Sequence, residues 1–115
     1  MSHLVTIQTE IRNTRAAQLA AARAGGTIHN LATGDQTFNI ALPGAYGHLS
    51  ADTRTGKMSL DSDNLHNPRT KAAVDRFLDY YAAELIKLTA AAEGQTVLET
   101  ELPDGSIRLE VLELT

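Results

Sequence analysis

Hydrophobic residues in the second half of the chain recur at steps of three and four. Val74, Phe77, Leu78, Tyr81, Leu85, Leu88 and Ala92 fall on one stripe of a helix from about Pro68 to Glu93, leaving Asp75, Arg76, Asp79, Lys87 and Glu93 toward solvent. Asn67 can cap free backbone N–H groups, and Pro68 sits where a missing N–H costs nothing, so the start of the helix is well marked. Gly94 supplies the permissive backbone that ends a helix, and the period then changes to two. Leu98, Thr100 and Leu102 share one side, Pro103-Asp104-Gly105 turns the chain, and Ile107, Leu109 and Val111 alternate on the return. Gln95 to Leu114 therefore reads as an antiparallel hairpin with a loop longer than two residues.

Upstream, His3 to Ile11 alternates as a first strand, with Val5, Ile7, Thr9 and Ile11 on one side. Asn13 or Thr14 can cap a helix through Ala24, rich in alanine and stopped by Gly25-Gly26. Four short strands follow, Thr27 to Ala32, Thr37 to Leu42, Tyr46 to Asp52 and Lys57 to Asp61, separated by turn residues, and Asp61 to Asn67 crosses to the long helix. The order strand, helix, three or four strands, long helix, hairpin predicts a single α+β domain over residues 1–115. Its mostly antiparallel sheet has five to seven short strands, with two helices on one face. Helices separated by a meander cannot supply the repeated crossovers of a parallel doubly wound fold.

Composition narrows the function. The 115 residues (12.4 kDa) suit one core, too small to divide between substrate and cofactor domains. Aromatics make up only 4% with no Trp, so stacking platforms for bases or sugars are scarce. A net charge of −4 and a pI near 5.4 argue against a nucleic-acid surface, which ordinarily carries a basic field. The absence of Cys removes disulfides, thiolate nucleophiles and Cys-ligated metals, and fits a reducing compartment. The longest apolar stretches are alanine-rich and broken by charge, and no export-signal layout precedes the first strand, so the expectation is a soluble cytoplasmic protein without membrane contact.

The opening Met1-Ser2-His3-Leu4-Val5-Thr6-Ile7-Gln8-Thr9-Glu10-Ile11-Arg12 resembles the start of the hypothetical chloroplast reading frame thirty-five family. These are small proteins of unknown function in plastids, cyanobacteria, other bacteria and some phages. Val74-Asp75-Arg76-Phe77-Leu78-Asp79-Tyr80-Tyr81, then Gly94, then Asp104-Gly105-Ser106-Ile107-Arg108-Leu109 is similar to the family's closing helix and hairpin. The middle departs from the family pattern, because its Trp- and Tyr-bearing segment around an Asn-Gly turn is replaced by Thr37 to Leu60 with only Phe38 and Tyr46. The resemblance implies an α+β fold and no established catalytic residues. Some family members are encoded beside AAA-type ATPases, which implies a protein partner of that kind.

Residues with chemistry to offer form no recognisable catalytic pattern. His3 shares the parity of Val5 and Ile7. The amine, amides and imidazole of Met1-Ser2-His3 can chelate copper or nickel if Met1 is kept, but a Met before Ser is normally trimmed, so no metal is assigned there. His3 stays a candidate ligand-binding position because its tripeptide matches the family opening. His29, His48 and His66 lie on different elements without zinc spacing. Tyr46, His48, Ser50 and Asp52 share one strand parity and can line a small polar patch, although the solvent face of an antiparallel sheet has the same pattern. Asp61-Ser62-Asp63-Asn64 starts like a calcium loop but has His66 at the sixth position and Ala72 at the twelfth. No phosphate loop or Gly-x-Ser-x-Gly elbow is present. Arg12, Arg15 and Arg23 can form a basic patch by the first helix, and Glu99, Glu101, Glu110 and Glu113 make a hairpin edge acidic, which discourages strand addition.

These observations lead to a non-catalytic accessory or adaptor domain that binds another protein, or itself, through the sheet edge or the first helix. The alternative is a small-molecule-binding protein or weak enzyme using the meander's polar face through Tyr46, His48 and Asp52. No cofactor is assigned in either case, and a phage or a cellular host fits equally.

Overall fold

Alternation and capping place nine elements in the computed structural model, which describes residues 4–7, 10–29, 37–46, 49–61 and 67–113. In chain order they are β1 (Leu4–Ile7), α1 (Thr14–Arg23), β2 (Thr27–His29), β3 (Thr37–Ala41), β4 (Leu49–Asp52), β5 (Lys57–Asp61), α2 (Pro68–Ala92), β6 (Gln95–Glu101) and β7 (Ile107–Glu113). The fold is α+β, as the order of elements predicts. Among the described residues, seven strands divide into two sheets, one five-stranded and antiparallel in the order β1-β5-β4-β3-β2, the other the β6-β7 hairpin alone. Alternation along a strand fixes which residues share a face but not which strand is its neighbour, so this division was not readable from periodicity.

Register explains the core. Ala51 lies opposite both Phe38 and Met58, and Leu49 opposite both Ile40 and Leu60, so these apolar residues share one face of the large sheet. That face is buried against Ala16, Ala17, Ala20 and Ala21 of α1 and Val74, Phe77 and Tyr81 of α2. Both helices therefore cover one face, while Thr37, Asn39, Ala41 and Lys57 of the other are exposed. The four buried alanines let α1 sit close to α2.

Asn13 caps α1 by accepting from the Ala16 N–H, and Asn67 caps α2 by accepting from the N–H groups of Arg69 and Thr70. One long-range contact joins the two helices at a point that no periodicity reveals. The buried Tyr81 hydroxyl of α2 accepts from the backbone N–H groups of Arg12 and Asn13, each at 3.1 Å, fixing the entry into α1. Tyr81→Phe keeps the ring and removes the acceptor. It should lower unfolding free energy by about 1–3 kcal/mol, the usual penalty for stranding partly buried backbone donors, read as a lower urea midpoint at unchanged slope.

The observed elements correct several boundaries. The strand expected from His3 to Ile11 is Leu4–Ile7, and Ile11 lies beyond it, fully buried, its N–H donating to the Gly56 carbonyl at 2.8 Å. The strand expected from Tyr46 begins at Leu49, so Tyr46 precedes β4. The expected strand positions Asn30 to Ala32 lie outside the described residues. Ala92 is exposed, whereas Ala83, Glu84 and Ala90 of α2 are buried beyond the predicted stripe, since α1 and the hairpin cover more than one face of this helix.

Candidate functional site

Of the four positions proposed from the sequence, Tyr46 and Asp52 lie within the described residues. His3 and His48 lie outside the residues whose side chains are described. Tyr46 is half exposed, and its backbone N–H donates to Oγ1 of the buried Thr70 at 3.0 Å, which makes it a brace between the sheet and the start of α2. Asp52 closes the β4–β5 turn, accepting from the Arg54 backbone N–H at 2.9 Å and pairing with the Arg54 guanidinium at 3.2 Å. The Arg54 side chain, helped by that backbone N–H, holds the Asp52 carboxyl below its ordinary range. This is the signature of a turn residue, and its carboxylate is already occupied. His29 is exposed and shares a 2.8 Å hydrogen bond with the Thr27 hydroxyl. Among the described residues, no three His, Asp or Glu side chains stand where they can hold a metal ion, and no helix is long and apolar enough to cross a membrane.

The basic patch expected around α1 is likewise redistributed. Arg12 pairs with Glu10 at 3.0 Å and donates to the Arg54 carbonyl. Arg23 reaches between α2 and the hairpin, pairing with Glu84 at 3.0 Å and with both carboxylate oxygens of Glu99 at 2.9 Å, and lies 4.3 Å from the centre of the Tyr80 ring. Lys87 completes the cluster, 2.9 Å from Glu99 and 3.5 Å from Glu84. This network fastens the hairpin to both helices, and it explains why a carboxylate, Glu84, is buried in α2.

Its pH dependence has a definite sign. Arg23 first, then Lys87, holds the Glu99 carboxyl below the usual glutamate range. A lowered folded pKa means that this stabilisation is fully present above the unfolded value, about 4.3, and is lost as pH falls through the folded value. Arg23→Ala should lower stability at pH 7 by about 1–3 kcal/mol, given that the partners are mostly shielded from solvent, and the difference between variant and parent should shrink below pH 4. Urea titrations at pH 7 and pH 3.5 check both parts.

The surface with the clearest unsatisfied character is the hairpin and the groove it makes with α2. Ile86, Leu98, Leu102, Val111 and Leu112 are five of the six exposed large hydrophobics among the described residues, and all lie here. Val97 sits opposite Val111, and Glu99 opposite Leu109, so the row Val97, Glu99, Ile107, Leu109, Val111 faces α2. Leu98 and Leu112 are on the outward row, 50% and 39% exposed. The outward position of Leu98 separates it from the row of Ile107, Leu109 and Val111. Leu85, Ile86, Thr89, Ala90 and Val111 line an open groove of about 330 Å³ between α2 and the hairpin. The glutamates read as an acidic edge are dispersed: Glu99 is turned inward to Arg23 and Lys87, and Glu110 lies on the outward row with Arg108. A second hollow, about 350 Å³, lies beside the large sheet and is lined by His29, Asn39, Ala41, Ala45 and Leu49 among others.

No protein-family model, curated protein or solved structure matches the chain.

Proposed function

We propose that this chain is a non-catalytic accessory or adaptor domain acting through protein–protein interaction, with the β6–β7 hairpin and its groove against α2 as the working surface. The observation that carries this reading is the concentration of exposed Ile86, Leu98, Leu102, Val111 and Leu112 on one module. Large apolar side chains left exposed in such number on one module commonly mark an interaction surface. The resemblance to the hypothetical chloroplast reading frame thirty-five family belongs to the same proposal, with an AAA-type ATPase as one partner of the kind it implies. Affinity capture from the native host, using parent and Leu98→Lys/Leu112→Lys chains, tests it. A partner or a second copy retained by the parent and lost by the variant is the expected result. Capture indifferent to these residues, or no association of any kind, would contradict it.

One observation favours a second reading, a small-molecule-binding protein. The hollow beside His29, Asn39 and Leu49 falls within the size range of ligand pockets, about 300–1,000 Å³. A ligand at a hundred times its dissociation constant stabilises a protein by about 2.7 kcal/mol. A thermal-shift screen of metabolites and nucleotides that moves the melting temperature, with the shift abolished by Asn39→Trp, would establish this reading, and a flat screen would retire it.

A further inference from the structure

The hairpin's own hydrogen-bond pattern identifies which backbone groups it leaves open. Leu102 N–H donates to the Ser106 carbonyl at 2.9 Å, and Gly105 N–H to the Leu102 carbonyl at 2.9 Å, with Gly105 at φ +87°. This is the three-residue turn with a glycine bulge, and it makes Leu102/Ser106 a hydrogen-bonded pair. Antiparallel pairs alternate, so Thr100/Arg108, Leu98/Glu110 and Thr96/Leu112 are hydrogen-bonded as well, whereas Glu101/Ile107, Glu99/Leu109 and Val97/Val111 are not. The N–H and C=O groups of Ile107, Leu109 and Val111 therefore point away from β6. Among the described residues, no strand pairs with that edge.

We infer that two copies of this chain associate by pairing β7 with β7, antiparallel, about a two-fold axis centred on Leu109. This inference rests on the interaction-domain reading above and names its partner. Two features support it. The first is charge. Centring the pair on Leu109 sets Arg108 opposite Glu110 of the partner subunit, and Glu110 opposite the partner's Arg108, both in the closer, non-hydrogen-bonded class of pair. Centring on Arg108 or on Glu110 would instead stack like charges on the axis. The β6 edge offers no such match, because its charged residues are Glu99 and Glu101 and it has no basic residue.

The second feature is apolar continuity. In this register Leu109 faces its symmetry mate and Ile107 faces the partner's Val111, so the row that each hairpin presents to α2 continues across the axis. Val111 and Ile86 are left 46% and 40% exposed in the single chain and lie beside this junction. Pairing would convert two two-stranded sheets into one of four strands.

Sedimentation equilibrium of the full chain across a concentration series tests the pairing. The parent should form a dimer. Arg108→Glu should weaken self-association by roughly tenfold or more, since it sets like charges opposite each other twice, and the exchanged double variant Arg108→Glu/Glu110→Arg should recover most of it. Val111→Pro removes an N–H that the hairpin itself does not use, so it should abolish dimerisation with the monomer's thermal unfolding retained. A strict monomer, or a dimer indifferent to all three variants, would overturn the inference. Host-protein capture that is lost in Leu98→Lys/Leu112→Lys while the chain is strictly monomeric would preserve the interaction-domain reading, so the two proposals fail separately.

Discussion

Replacing Gly26 with alanine should destabilise the protein by about 3 kcal/mol or more, the upper part of the range for forcing extra volume into a packed site. The helix α1 ends at Gly25-Gly26, with Gly26 N–H donating to the Ala21 carbonyl at 2.8 Å and Gly25 N–H to the Ala22 carbonyl at 3.1 Å, the paired bonds of a Schellman motif. Gly25 provides the left-handed backbone this requires, at φ +79°. Gly26 is needed for a different reason. The chain passes immediately into β2, whose Thr27 lies opposite Ala41, and a methyl group on Gly26 would run into the Ala41 carbonyl oxygen while standing 3.1 Å from the Leu42 side chain. The obstacle is backbone of an adjacent strand, so relief means moving β3 or the end of α1. Gly94→Ala is the control: it also follows a helix, at φ +73°, but nothing stands within 4 Å of its would-be side chain. It should therefore cost only the strain of the left-handed conformation, about 1–2 kcal/mol. Urea unfolding of both variants distinguishes close approach from backbone conformation, and equal losses would contradict the assignment.

Phe77→Ala should cost about 3–5 kcal/mol, the range for truncating a buried aromatic. Phe77 is wholly buried on α2 and belongs to the cluster that joins Ala16, Ala17, Ala20 and Ala21 of α1 to Phe38, Ile40 and Leu60 of the sheet. With aromatics at only 4% of the chain and alanines filling the α1 side, few larger side chains are near enough to fill the space. Since domains of this size are stable by about 5–15 kcal/mol in total, the loss is a large fraction of the whole. Leu98→Ala, on the outward row of the hairpin, should change stability by less than about 0.5 kcal/mol. A Phe77 variant that melts close to the parent would show that α2 does not seal the sheet.

Much of this architecture is written locally. Asn13, Asn67 and Pro68, and Gly25 and Gly94 mark the helix ends because capping chemistry acts within a few residues. Phe38 with Ile40, and Met58 with Leu60, identify the buried sheet face because a strand repeats every two residues. What local pattern cannot carry is partnership across the chain. Glu84 falls outside the apolar stripe of α2 and is buried only because Arg23, sixty-one positions earlier, turns back to meet it. Leu98 and Leu109 both belong to alternating runs, but only the register of the hairpin puts one outward and the other toward α2. Tyr46 and Asp52 have the parity of a ligand patch, yet the first sits ahead of its strand and the second holds a turn, assignments decided by Thr70 and Arg54. The candidate interaction surface was visible only as a charged hairpin edge, and its composition changed once Glu99 was drawn inward.

The most direct measurement of the central claim, that the C-terminal hairpin holds an open, self-complementary edge, is residue-resolved amide hydrogen exchange at low and high protein concentration. Arg108, Glu110 and Leu112 donate toward β6 and should be protected at both concentrations. Ile107, Leu109 and Val111 should exchange freely in the dilute chain and become protected as it associates. Fast exchange at Ile107, Leu109 and Val111 at every concentration, or protection of these three that does not depend on concentration, would contradict the account.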